Sequence, residues 1–204
     1  LTGLISRLLR PGLFGAEIWD EGQAIALHPE EEVHVARAAQ KRRRDFALGR
    51  TCARAALAGF GHGEAVIAKG DAGAPLWPQG TRGSITHTQG YAAALVGEDC
   101  NFAGIGIDAE RAGGVTRDLW PRLFSQAEQA QLATHRDPLL GATLLFSAKE
   151  ASYKAWALTG APVFRDIEIA LEGGPFIATR ARARLCGCYA VEKDVVLVTA
   201  WIPR

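Results

Sequence analysis

Hydrophobic positions along the chain follow two different periods, and each change of period marks a new element. Phe46, Gly49, Ala53, Leu57 and Phe60 recur at spacings of three and four, which predicts a helix with a single packing stripe. The acidic turn Pro29-Glu30-Glu31-Glu32 is expected to open that helix. An Ala-, Arg- and Leu-rich segment carries it to about Phe60, where Gly59, Gly61 and Gly63 end it. Arg43, Arg50 and Arg54 fall together on the flank of the stripe. Before it, Ile18 and Trp19 suggest a strand within residues 16–27, ending near His28-Pro29. After it, Val66-Ile67-Ala68 reads as a short strand, followed by the turn-rich loop Gly70-Asp71-Ala72-Gly73 with Pro75 and Pro78.

The period then shortens to two. Residues 83–87 and 91–96 read as strands joined at hairpin spacing by Thr88-Gln89-Gly90. Residues 102–110 are a further strand, whose alternation puts Ile105 and Ile107 on one face and Gly104, Gly106, Asp108 and Glu110 on the other. Beyond Gly113-Gly114, residues 125–133 predict a short helix with Ser125 as cap and Glu128 completing a capping box. A longer helix spans 137–158, and strands follow from Ile167 onward. No internal repeat and no low-complexity linker divides the chain.

Composition narrows the class. With 204 residues, 48% hydrophobic and 22% charged, the chain can bury a sizeable core and is expected to fold without a partner. Net charge is +1, so an anion must be attracted by local clustering, which argues against a nucleic-acid coat protein. Cys52, Cys100, Cys186 and Cys188 lack paired zinc-ligand spacing, and reduced thiols in a cytoplasmic protein are the simplest reading. No run of apolar residues reaches membrane-span length, and no signal core stands at the start. The chain opens on Leu1 and has no methionine, so the numbering is expected to omit native N-terminal residues.

Candidate chemistry sits on the strand at 102–110 and the long helix. Asp108 and Glu110 leave one strand face about 6.6 Å apart, a spacing that lets two carboxylates grip one hard cation. A pair of solvated acids has the same pattern, but the glycines on that face leave bare backbone and room for a ligand. Glu150 and Lys154 lie one helical turn apart; taken alone they are an ordinary ion pair worth about 0.2–0.5 kcal/mol. Beside a cation held by Asp108 and Glu110, however, Glu150 supplies a further oxygen and Lys154 can neutralise a phosphate. His87 shares the face of Ile85 if its strand is regular, so a ligand role requires that strand to end or bend there. The basic run Lys41-Arg42-Arg43-Arg44 with Arg50 suits either a solvated face or a phosphate-rich ligand. No Gly-x-Gly-x-x-Gly, Walker or Gly-x-Ser-x-Gly sequence is present.

Taken in order, Arg42-Arg43-Arg44-Asp45-Phe46-Ala47-Leu48-Gly49-Arg50-Thr51-Cys52-Ala53-Arg54, Gly73-Ala74-Pro75-Leu76-Trp77-Pro78, Gly83-Ser84-Ile85-Thr86-His87, Gly106-Ile107-Asp108-Ala109-Glu110 and the segment from Phe146 to Lys154 resemble the phosphopantetheinyl transferase family. The likeness is to its larger, surfactin and enterobactin type, and it covers roughly residues 42–154. Phe146 stands where the family commonly has tryptophan, and the loop around residues 69–72 lacks the basic residue that some relatives place just before the Gly-x-Pro turn.

The resemblance implies an α+β fold of two similar α/β lobes in pseudo-twofold arrangement, approximately residues 1–100 and 101–204, with a coenzyme A cleft between them in a monomer. It implies transfer of the 4′-phosphopantetheine arm of coenzyme A to a serine of an apo acyl or peptidyl carrier protein, releasing adenosine 3′,5′-bisphosphate. Asp108, Glu110 and Glu150 would be magnesium ligands, and Lys149 and Lys154 phosphate contacts. Arg42, Arg43, Arg50, Ser84 and His87 would meet the nucleotide end. Glu150 is the candidate general base, with Asp108 through water as the fallback, and Lys154 would stabilise charge in the transition state. A magnesium-dependent phosphodiesterase or nuclease, or a non-catalytic coenzyme A or carrier-binding module, would use some of the same residues.

Overall fold

A computed structural model describes residues 3–70, 73–157, 159–160, 163–171 and 175–204. Its elements are strand β1 (Leu13–Trp19), helices α1 (Pro29–Glu32) and α2 (Gln40–Leu57), and strands β2 (Thr81–Thr88), β3 (Tyr91–Glu98) and β4 (Phe102–Arg111). Helices α3 (Trp120–Leu123), α4 (Gln126–Thr134) and α5 (Pro138–Ala157) follow. Strands β5 (Glu168–Leu171), β6 (Pro175–Arg180), β7 (Ala183–Glu192) and β8 (Val195–Pro203) complete the chain. Two antiparallel sheets form, one ordered β1-β3-β2 and the other β4-β8-β7-β6-β5.

The alternation of apolar residues in the two central strands explains how these sheets stack. In β3, Ala92, Ala94 and Val96 face the core under α2, built with Leu48, Cys52, Ala53 and Leu57. Tyr91, Ala93 and Leu95, from the other face, pack against Ile105, Ile107, Val195 and Leu197 of the second sheet. Val196, Val198 and Ala200 then face α5, whose Leu145, Ala148, Ala151, Ala155 and Trp156 close the outer core. The result is an α+β stack in the order α2, first sheet, second sheet, α5. Each lobe lays one long helix across one antiparallel sheet, because both central strands are apolar on both faces.

Several expectations are corrected. The helix expected over residues 29–60 is broken into α1 and α2, with turns from Val33 to Ala39 between them. Helical propensity is overridden there by a buried acid: Glu31 is fully enclosed and bonds to Arg54 of α2, so the chain must fold back between the two. Residues 66–68 are not a strand; Ile67 is buried, but its N–H donates to Glu31 Oε1 and its carbonyl accepts from Arg50. The first strand spans Leu13–Trp19, starting earlier than its aromatic residues suggested and ending well before the expected limit at His28-Pro29. The hairpin at Gln89-Gly90, the β4 strand and the Ser125–Glu128 capping box are present as the sequence predicts. Asp71 and Ala72 of the turn-rich loop, and Leu158 at the expected end of the long helix, lie outside the described residues. Among the described residues no helix is long and apolar enough to cross a membrane, and the four cysteines are free thiols.

Candidate active site

The two lobes meet where β2, the edge of one sheet, runs beside β4, the edge of the other. Candidate residues on these strands therefore lie along the same seam. On the β2 side a cavity of about 200 Å³ is lined by Arg42, Phe46, Arg50, Lys69, Ile85 and His87. Arg42 Nη1 lies 3.2 Å from His87 Nε2. Burial, then the positive charge of Arg42, hold the His87 imidazole below its ordinary value despite Asp45 nearby. Arg50 is buried with its Nε donating to Ile67 O at 2.7 Å and its guanidinium 4.3 Å from the Phe46 ring centroid. Desolvation brings its pKa down to about 10, so this cation is held at a cost that an anion in the cavity would offset.

β2 stays in regular register with β3 throughout. His87 does share the face of Ile85, and no bend is needed for it to reach a ligand, because the cavity itself opens on that face between β2 and α2. Next to it, a second cavity of about 420 Å³ is lined from one lobe by Pro75, Trp77, Ser84 and Ile85 and from the other by Tyr153 and Lys154. The two cavities share Gly73, Pro75 and Ile85 in their linings, so the basic pocket and the lobe seam are neighbours.

On the β4 side lies an acidic cluster. Asp108 is almost fully enclosed, accepting at Oδ2 from Ser147 (2.9 Å) and at Oδ1 from Lys154 (2.8 Å), which also donates to Ile107 O (3.0 Å). Glu110 is pushed up to about 7, first by burial and then by the Asp108 charge. Glu150 is raised by the same two causes. The acids repel one another while Lys154 attracts both, the pattern of a site that a hard cation would stabilise. Among the described residues no three such side chains converge closely enough to hold an ion as they stand. The donor set of three carboxylates suits magnesium in charge and hardness.

The glycines of β4 do something other than the pattern implied. A side chain at Gly104 or Gly106 would strike the carbonyls of Ala155 or Ala151. The bare face thus admits the backbone of α5, not a ligand, and this close approach is what lets Ser147 reach Asp108 and Glu150 stand beside it. Two further candidates fall elsewhere. Arg43 is exposed and lines a separate hollow with Leu27, Gln40 and Arg44. Lys149 is fully enclosed, its Nζ 2.6 Å from Glu128. That pairing consumes its charge, so it does not reach the cleft.

Sequence reasoning did not single out Ser147, which bonds to Asp108, or Trp77 and Lys69, which line the two cavities. It also missed a signal for Lys149: Leu145, Lys149, Ser152 and Trp156 recur at helical spacing, and the other three are buried, which places the lysine in the core stripe.

Comparison with known families and proteins gives a consistent result. A model of the 4′-phosphopantetheinyl transferase N-terminal domain matches residues 30–97, and one of the 4′-phosphopantetheinyl transferase superfamily matches residues 104–200. The chain is 42% identical over 153 residues to 4′-phosphopantetheinyl transferase Npt of Nocardia iowensis, covering 75% of this chain and 69% of that protein. It is 42% identical to Svp of Streptomyces mobaraensis (74% and 65% covered) and 40% identical to PptT of Mycobacterium tuberculosis (69% and 63%). The chain thus spans about two thirds of the length of these relatives. A solved holo-[acyl-carrier-protein] synthase from Thermotoga maritima overlays 50% of this chain and 63% of its own, with a TM-score of 0.44 and 17% identity.

Proposed function

The chain belongs to the 4′-phosphopantetheinyl transferase family, and on that premise we propose that it moves the phosphopantetheine arm of coenzyme A onto a serine of an apo acyl or peptidyl carrier protein. The observation that carries this reading is the order of charges along the cleft: a basic pocket of Arg42, Arg50, Lys69 and His87 continuing to the carboxylates and Lys154 at the seam. A dianionic phosphate at one end and a diphosphate at the other match that order.

Arg42, Arg50 and His87 bind the nucleotide end with its 3′-phosphate, and Ser84 lines the passage to the seam. Asp108, Glu110 and Glu150 would hold magnesium, which when bound withdraws charge from the diphosphate. Lys154 already donates twice, to Ile107 O and Asp108; its third N–H is left for a phosphate oxygen, and the Asp108 bond fixes its aim. Glu150 is half-buried beside Asp108 and is the candidate to accept the proton of the attacking serine. The serine oxygen bonds to the phosphorus next to the pantetheine. The bond to the other phosphate breaks, and adenosine 3′,5′-bisphosphate leaves. The protein would act as a monomer in the cytoplasm.

Intact mass spectrometry of fatty-acid, polyketide and nonribosomal-peptide apo-carriers incubated with the protein, coenzyme A and magnesium tests this. At least one carrier is expected to gain a single phosphopantetheine. Coenzyme A turnover with no carrier modified would overturn the reading.

A further inference from the structure

The seam between the lobes is closed in an unusual way. β2 and β4 lie side by side but belong to different sheets, so no backbone ladder joins them. Side chains of the first lobe instead satisfy the exposed edge of β4. Thr86 Oγ1 accepts from Ala109 N at 2.9 Å, and Arg82 Nη1 donates to Ala103 O at 3.0 Å. In the reverse direction Arg111, at the end of β4, donates from Nε to the carbonyl of Gln89 in the β2–β3 turn at 3.0 Å.

The Thr86 bond has a special address. Thr86 precedes His87, which lines the basic pocket, and Ala109 is the residue between Asp108 and Glu110. The bond is buried, Thr86 being 4% exposed, and it therefore works without competition from water. One hydroxyl thus connects, by one covalent neighbour on each side, the residue at the phosphate end of the cleft with the pair of acids at the other end. Thr86 points away from the cavity face that His87 occupies, since successive strand residues alternate, so it needs no contact with a ligand to have this effect.

We infer that Thr86 is a positioning residue that sets the spacing between the nucleotide-binding edge of one lobe and the cation-binding edge of the other, and thereby couples coenzyme A binding to metal binding. The inference rests on the proposed function, which gives each edge its ligand. If the two edges are held in register, a coenzyme A whose nucleotide end is anchored at His87 arrives with its diphosphate at the Asp108–Glu110 pair, and each ligand raises affinity for the other by the same factor. If the register is loose, each ligand still finds its own edge but the mutual gain is lost.

Thr86→Val keeps the shape and removes the hydroxyl; Thr86→Ser keeps the hydroxyl. Calorimetry would measure coenzyme A binding in chelator, Mn²⁺ binding without coenzyme A, and Mn²⁺ binding with coenzyme A present. Wild-type protein is expected to bind Mn²⁺ about tenfold more tightly in the presence of coenzyme A. In Thr86→Val that gain is expected to fall to about twofold or less, with each ligand alone bound within about threefold of wild type. Thr86→Ser is expected to restore it. An undiminished gain in Thr86→Val would overturn the inference and leave Thr86 as a partner for a buried N–H only.

If Thr86→Val does not fold, hydrogen exchange of the Ala109 amide in the wild-type protein decides. Slowing that is greater with both ligands than either alone produces supports the coupling, and exchange indifferent to ligands overturns it. Wild-type protein that binds no coenzyme A would instead bring down the proposed function, and this inference with it.

Discussion

The two lobes solve one structural problem with the same part and then use it differently. In each, a glutamate at the third position of a capping box is fully enclosed: Glu31 with His28 as cap, and Glu128 with Ser125. Each reaches a cation on its lobe's long helix, Arg54 on α2 or Lys149 on α5, and each accepts from the N–H of a later extended segment, Ile67 or Ile169. The device ties three stretches of chain distant in sequence into one buried knot. In the second lobe Ile169 belongs to β5, and the knot completes a five-stranded sheet. Among the described residues the first lobe has three strands, and the segment tied down at Ile67 leads into Lys69, Gly73 and Pro75, which line the basic cavity. The knot is scaffolding in one lobe and the foundation of a binding pocket in the other.

The helix-to-sheet contacts differ in a second way, and the largest expected effect breaks that contrast. In the second lobe the glycines are on the strand, where a side chain at Gly106 would meet the backbone of Ala151; in the first the glycine is on the helix, where a side chain at Gly49 would meet the Ile85 Cγ2 methyl at 2.8 Å. Backbone cannot yield as a methyl can. Gly106→Ala is expected to cost about 3 kcal/mol or more, as overpacking against an immovable neighbour does, and to abolish transfer by displacing Ser147 and Glu150 from Asp108. Gly49→Ala gains up to about 1 kcal/mol in helix propensity, which offsets much of the strain at Ile85. Urea denaturation of the two variants side by side checks the difference; equal losses would show that α5 does not depend on the bare face of β4.

The buried knots come next in size. Lys149→Met leaves Glu128 charged in a site where both partners are 1% exposed, a change expected to cost about 3–5 kcal/mol. Adding Glu128→Gln to it is expected to recover part of that loss, because the uncompensated charge is gone. In the first lobe Arg54 keeps 16% of its side chain in solvent, so water tempers the change, and Glu31→Gln is expected to cost about 2 kcal/mol. It is also expected to weaken coenzyme A binding, since the Ile67–Pro75 segment loses its anchor, whereas the Lys149→Met and Glu128→Gln pair leaves that affinity near wild type. Calorimetry with coenzyme A would show the contrast, and equal effects on affinity from both knots would refute it.

What could be read in advance follows the range of the forces involved. The Gln89-Gly90 hairpin, the alternation of β4 and the cap at Ser125 are decided by neighbours within a few residues, and the sequence displays them. The break between α1 and α2 is decided by Glu31 meeting Arg54 and Ile67, and no local pattern distinguishes that glutamate from Glu30 or Glu32. Asp108, Glu110, Glu150 and Lys154 were legible as a group through their resemblance to a known family; Lys154 bonds to Asp108, and the Asp108 charge raises the proton affinity of both glutamates. Lys149 was assigned to the cleft by the family resemblance alone, while its helical face, shared with Leu145, Ser152 and Trp156, puts it in the core. The glycines of β4 were seen as empty space, and only the packing of α5 shows what occupies it.

The smallest expected effect concerns charge in the acidic cluster, which has no counterpart in the basic lobe. A glutamate in the unfolded chain loses its proton near the ordinary value of 4.5, whereas Glu110 in the folded chain holds it until about 7. Between those values the folded state binds more protons than the unfolded one, so stability is greatest below about pH 4.5 for this group and is lost as pH rises through 7. Glu150 shifts in the same direction and adds to the slope. Because both side chains are partly open to solvent, screening reduces the total, and a loss on the order of 1–2 kcal/mol from pH 5 to pH 8 is expected in metal-free protein. Glu110→Gln, which cannot ionise, is expected to flatten that slope, and so is saturating magnesium, which favours the charged carboxylates. Alanine substitutions of Arg42 or Lys69 across the cleft are expected to leave the slope unchanged, since neither cation contributes to the Glu110 shift. Thermal unfolding across this pH range, with and without magnesium, measures all four. A metal-free wild-type protein whose stability does not fall between pH 5 and 8 would mean that the acids are better solvated than their burial implies, and a slope present in Glu110→Gln would place its origin outside the cluster.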